Sequence, residues 1–217
     1  MSSLNPFPDT PPLPASREAF VEQEFHAGRD LRLGESRAPL ATAAEVNEFW
    51  RQAGPSMWFA KDADFDRRFR ETFLEAHEAA ARGDLDHWMT TPEGALALLV
   101  LLDQFPRNAF RGTPRMYATD PAARRIAAVA VDSGHDQAMP PDLRKFFYLP
   151  FAHSEDLADQ DRSVELGRHL GLPDSENSHR HRDIVKRFGR FPHRNPILGR
   201  NMTAEEQQFL GSGGYAG

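Results

Sequence analysis

The chain has 217 residues, a formal net charge of −6 and no cysteine. That length holds one well-cored domain plus an appendage rather than two full domains. The missing cysteines exclude disulfide frameworks, thiolate metal sites and cysteine nucleophiles, and the acidic balance argues against nucleic acid as a partner.

Residues 1–40 read as an arm. Pro6, Pro8, Pro11, Pro12 and Pro14 give the first stretch a polyproline character. SREAFVEQEFHA (16–27) can make one short helix capped by Ser16, and the arginine-rich run 28–39 is irregular. The apolar residues Phe7, Phe20, Phe25, Leu31 and Leu33 are too sparse for an independent core. The arm has no positive n-region or apolar h-region of a signal peptide. No run reaches the roughly 18–20 apolar residues of a membrane span, so no membrane association is expected and the cytoplasm is the expected location.

From about residue 41 to 217 helical spacing dominates and strand-like alternation is nearly absent. Thr42 caps a helix through Trp50 that Gly54-Pro55 ends. Asp64 caps a second, whose stripe is Phe65, Phe69, Phe73 and Ala76, and Gly83 stops it. Thr91-Pro92 opens a third that runs through GALALLVLLDQF to Pro106. Asp120-Pro121 opens a fourth, closed by Gly134, and Pro141-Asp142 a fifth, disturbed at Pro150. A sixth spans about 156–170 and a seventh about 176–188, ended by Gly171 and Gly189. Thr203 with Glu206 forms a capping box for a last short helix. The fold class that follows is all-α, an irregular array of helical hairpins.

Ionisable groups on apolar stripes carry the functional signal. Leu96, Leu99, Val100 and Asp103 share one stripe, and Arg107 lies one turn beyond Asp103. His181 shares a stripe with Ile184, Val185 and Phe188, and Gln160 lies between Leu157 and Val164. The loops PFAHSED (150–156) and GRFPHRNPILGR (189–200) add further polar groups. Asp103, His153, Glu155, His181 and His193 are the candidates for proton transfer, since histidine titrates near neutral pH. Arg107, Asn108, Gln160, Arg190, Arg194 and Asn195 are the candidates for holding an anion, because arginine grips carboxylate or phosphate bidentately. Each group also has a structural reading: Asp103 and Arg107 as a buried pair, His181 as a core histidine, the arginines as caps on helix ends. No metal site is assigned. His153 and Glu155 form only an H-x-E, without the second histidine of H-E-x-x-H. No phosphate-binding glycine loop or G-x-S-x-G turn occurs, so no cofactor is identified.

The stretches VNEFW (46–50), MWFAKDADFD (57–66), LLDQFPRNAFRGT (101–113), YATD (117–120), FFYLPFAHSEDLADQ (146–160), HRDIVKRFGRFPHRN (181–195) and LGRNMTAEEQQFL (198–210) keep one order. On them the chain resembles the bacterial family termed domain of unknown function 924. It departs in having FWRQAG where FWFG is more frequent, and PFAHSE in place of PFMHSE; neither change removes an ionisable group. The resemblance implies a helical, tetratricopeptide-like fold and brings no activity with it. The residues point to a small-molecule enzyme or binder acting on an anionic metabolite through a buried His/Asp/Glu/Arg cluster. The alternative is a tetratricopeptide-like interaction module that grips a peptide segment of a partner protein.

Overall fold

A computed structural model describes residues 39–171 and 173–217, and among them every regular element is helical. The expectations for Phe7, Phe20, Phe25, Leu31 and Leu33 of the arm lie outside the described residues.

Helix α1 (Ala43–Trp58) starts on Thr42, which shares a capping box with Glu45. Gly54 interrupts it, as the sequence predicts, and a short second helical segment follows to Trp58. With φ 68° and ψ 175°, Gly54 kinks the helix before Pro55, a conformation that a residue with a Cβ rarely adopts. The Trp58 indole then donates to the Trp50 carbonyl at 2.7 Å, tying the two arms of the kink together. Helix α2 (Ala63–Arg82) is capped by Asp62 rather than Asp64: Asp62 Oδ1 accepts the Phe65 N–H at 2.8 Å. Its stripe of Phe65, Phe69, Phe73 and Ala76 is buried against Phe49 and Trp50.

Helix α3 begins as Pro92–Leu99, passes through a π-helical stretch at Val100–Gln104 and resumes as Phe105–Ala109. Its residues from Ala95 to Phe105 are buried all round, which makes it the axis of the domain. It touches α1, α2, α4 (Asp120–Asp132) and α5 (Pro141–Ala152). Helices α6 (Leu157–Gly167) and α7 (Asp174–Phe188) extend the array beyond α5. Helix α8 (Ala204–Gly211) carries the Thr203–Glu206 capping box that the sequence predicts.

The apolar residues divide unequally. One large cluster runs from Val46 to Phe151 and takes in α1 to α5. A small second cluster joins Ile184, Val185 and Phe191 to Phe188, Phe209 and Tyr215. No helix of the described residues is long and apolar enough to cross a membrane.

Candidate functional site

Proline at position 106 decides the local geometry. It cannot donate to an earlier carbonyl, and its ring would clash with the carbonyl four residues back in a regular helix. The chain widens instead into the π stretch, where the Phe105 N–H bonds the Val100 carbonyl five residues earlier. The carbonyls released by the widening are taken by side chains. His77 Nδ1 meets Leu101 O at 2.9 Å, Thr119 Oγ1 donates to Leu102 O at 2.6 Å, and Arg107 Nη1 donates to Asp103 O at 2.6 Å. The helix therefore passes through Pro106 rather than stopping there, contrary to the sequence expectation. π-helical turns of this kind recur at functional sites.

The π stretch presents Asp103 to its partners. The side chain is 1% exposed. His153 Nδ1 lies 2.8 Å from Asp103 Oδ1, Gln104 Nε2 donates to Oδ2 at 2.6 Å, and Arg107 Nη1 stands 3.2 Å from Oδ1. Burial alone would raise the Asp103 pKa. The Arg107 charge and the contacts with His153 and Gln104 together outweigh it, and the carboxyl stays below its usual range. His153 goes the other way: burial and the Arg107 charge lower it, while Asp103 only partly restores it. At neutral pH the pair is thus a carboxylate beside a neutral imidazole. Nδ1 carries the shared proton, and Nε2 is left as the nitrogen that can accept another.

His153 caps the C-terminal end of α5 and faces a cavity of about 230 Å³. Arg107, Asn108, His181, His193 and Arg194 line the same cavity. The structure thus brings together six of the eleven predicted residues at the wall, with Asp103 directly behind His153. Arg194 is clamped between the rings of Tyr117 and Phe191, each 4.6 Å from its guanidinium carbon. Its Nη2 donates to the His153 carbonyl at 2.9 Å, and Nη1 stands 3.6 Å from Asp120. Arg107 makes a bidentate pair with Asp120 at 3.0 and 3.1 Å.

Three polar atoms on this wall are buried without a partner: Arg194 Nε, His181 Nδ1 and His193 Nδ1. Burial pulls the Arg194 pKa down, and Arg107 adds to the effect. Burial likewise holds His181 at about 3, with His153 and Arg194 contributing, and His193 at about 4, with Arg194 contributing. Both rings are therefore neutral near pH 7. An unsatisfied buried polar atom costs about 1–3 kcal/mol.

The remaining predicted residues are braces set away from the cavity. Gln160, expected to touch a ligand, donates from Nε2 to the carbonyls of Phe151, Ala152 and Ser154, which fixes the turn bearing His153. Glu155, expected to transfer protons, is bound by Arg200 at 2.6 and 2.9 Å and by the Phe191 N–H at 2.8 Å. Those bonds occupy its oxygens and fasten the 150s loop to the 190s loop. Asn195, also expected at the ligand, is fully buried and accepts from Arg200 Nε at 2.8 Å. Arg190 is committed to Glu206 at 2.6 and 2.9 Å and so anchors α8. Among the described residues no group of three or more His, Asp or Glu is arranged to hold a metal ion.

Sequence reasoning missed Lys61, Gln104, Arg111, Tyr117 and Tyr215, all of which line the cavity. It also read Asp120 only as the residue that opens α4. Lys61, Tyr117 and Asp120 all lie in the family stretches MWFAKDADFD and YATD, which was the signal available for them.

A family model described as a bacterial protein of unknown function (DUF924) matches residues 46–214. Among solved structures, a protein of unknown function from Agrobacterium tumefaciens is 56% identical, with a TM-score of 0.77. That match covers 78% of this chain and 97% of the other. No curated protein matches.

Proposed function

We propose that this chain, which belongs to the bacterial family of unknown function DUF924, binds a small organic anion and removes a proton from it with His153 as general base. The observation that carries the reading is the Asp103–His153 pair, 2.8 Å apart, beside a wall on which Arg194 Nε is buried without a partner. Four cations, Lys61, Arg107, Arg111 and Arg194, face the cavity; the carboxylates paired with them are Asp66, Asp103 and Asp120. Arg107 and Arg111 already hold bidentate pairs with Asp120 and Asp66, whereas the buried Arg194 keeps an Nε with no partner.

An anionic head against Arg194 gains a charge-assisted hydrogen bond. His153 Nε2 takes the proton, and the imidazolium so formed is stabilised by Asp103 through Nδ1–H. Negative charge that develops on the substrate stays near Arg194, whose position is fixed in advance by two aromatic rings. The neutral His181 and His193 are suited to hydrogen bonding rather than to charge compensation. Against the interaction-module alternative stands the convergence of these groups on a cavity, since peptide-reading modules spread theirs along exposed helix faces.

The test is a thermal-shift screen of small carboxylates and phosphate esters, followed by turnover assays on each hit. A ligand at about 100 Kd should add about 2.7 kcal/mol of stability. His153→Gln should keep the shift and abolish turnover. Binding and turnover both unchanged in Arg194→Met and His153→Gln would refute the assignment.

A further inference from the structure

A second chamber, of about 260 Å³, adjoins the first. Phe59, Ala152, His153, His181 and Tyr215 belong to the walls of both, so the proposed base stands where the two meet. They differ in charge. The first chamber collects the cations. The second has one, Lys145, and Asp174 neutralises it at 2.8 Å. Its other polar groups are mostly spoken for within the protein. Tyr148 donates its hydroxyl to Asp136 at 2.6 Å, and the Ser163 and Ser178 hydroxyls bond each other at 3.5 Å. Beyond Asn177 and the shared His153, His181 and Tyr215, what remains on offer is carbon: Phe59, Leu149, Ala152 and Leu170.

Complementarity to such a pair of chambers requires a ligand with two unlike ends. We infer that the substrate is an amphiphilic organic acid, with its anionic head in the arginine chamber and an uncharged, mainly apolar body reaching past His153 into the second. The inference rests on the anion-site reading above and adds the class of molecule. It also says which atom reacts. With the head on Arg194 and the body beyond His153, the carbon or oxygen next to the head is the one brought to Nε2. The strongly exposed Phe59, 59% accessible, stands at the rim of both chambers, where an apolar body would cover it.

The experiment is calorimetric titration of the full chain with two homologous series. One runs from acetate to octanoate, the other from inorganic phosphate to hexyl phosphate. Burying each added methylene is worth about 0.8 kcal/mol, so affinity should rise roughly fourfold per carbon until the chamber is full. A slope in either series supports the inference, and the series that shows it identifies the head group. Asn177→Trp, on the exposed side of α7, and Leu170→Trp should fill the second chamber from two directions. Both variants should bind acetate or phosphate as the parent does and lose at least tenfold on the longest members. A flat series in the parent, with short anions still bound, overturns the amphiphile while leaving the anion site standing. Full retention of the longest members by both tryptophan variants overturns it as well. If no anion of any length binds, both readings fall together.

Discussion

Replacing Asp103 by asparagine keeps the shape of the side chain and removes its charge. The carboxylate is buried and accepts from His153 and Gln104, with Arg107 at 3.2 Å. Stripping one partner from a buried ion pair costs about 3–5 kcal/mol. Arg107 keeps its bidentate pair with Asp120, so the loss belongs at the lower end, about 3 kcal/mol. The new amide can still accept from His153 through Oδ1, but its NH2 then faces Gln104, whose amide must flip to present Oε1. In urea, with a slope of about 2 kcal/mol per molar, the midpoint should fall by roughly 1.5 M. Fluorescence of the fully buried Trp50 and far-UV circular dichroism should report the same transition. A double-mutant cycle with His153→Gln should show coupling above about 0.5 kcal/mol, since the two side chains touch. A loss below about 1 kcal/mol, or strict additivity with His153→Gln, would refute the claim that Asp103 holds the arginine and the histidine in place.

Acid should weaken the fold through its buried histidines. His181 and His193 take up protons near pH 6.5 when unfolded but only at about 3 and about 4 when folded. Between those values the unfolded chain binds more protons, so stability falls as the pH drops below about 6.5. Each histidine contributes at most about 1.4 kcal/mol per pH unit. Urea midpoints at pH 7 and pH 5 should show a smaller difference in His181→Gln than in the parent; equal differences would contradict the burial argument. Thr119→Val should cost about 1–3 kcal/mol by leaving the Leu102 carbonyl unpaired, and an unchanged melting temperature would argue against it. Arg200→Met should loosen the 150s and 190s loops and weaken anion binding at least tenfold while leaving the main core folded. Unaltered affinity would mean that the Glu155 brace does not position the wall.

Helix starts were the most legible part of the sequence, because a capping group acts within three residues of itself. Thr42, Thr91 and Thr203 do what their local chemistry predicts. Asp62 and Asp64 both offer a capping carboxylate, and spacing alone did not choose between them. The passage of α3 through Pro106 was not legible, since two of the side chains that accept the burden, His77 and Thr119, lie 24 and 17 residues from the carbonyls they bond. The inward polar groups were visible from periodicity, as Asp103 and His181 show. Their partners were not: Glu155 finds Arg200 45 residues away, and Arg190 finds Glu206 on the next helix. Periodicity reports which side chains face inward, but only the packed chain decides whether such a group meets a ligand or a brace.

The division of the apolar residues into a large cluster and a small one has a consequence for motion. The cavity lies along the seam: its far wall, His181, Phe191, His193 and Tyr215, is supplied by or adjacent to the small cluster. A cluster with three buried apolar residues opens more readily than one that runs from Val46 to Phe151. Amide protons of α7, α8 and the 190s loop should therefore exchange with solvent water by a local opening that leaves α1 to α5 closed. Such an opening would admit and release a ligand without unfolding the domain, and a bound ligand would slow exchange on that side of the seam first.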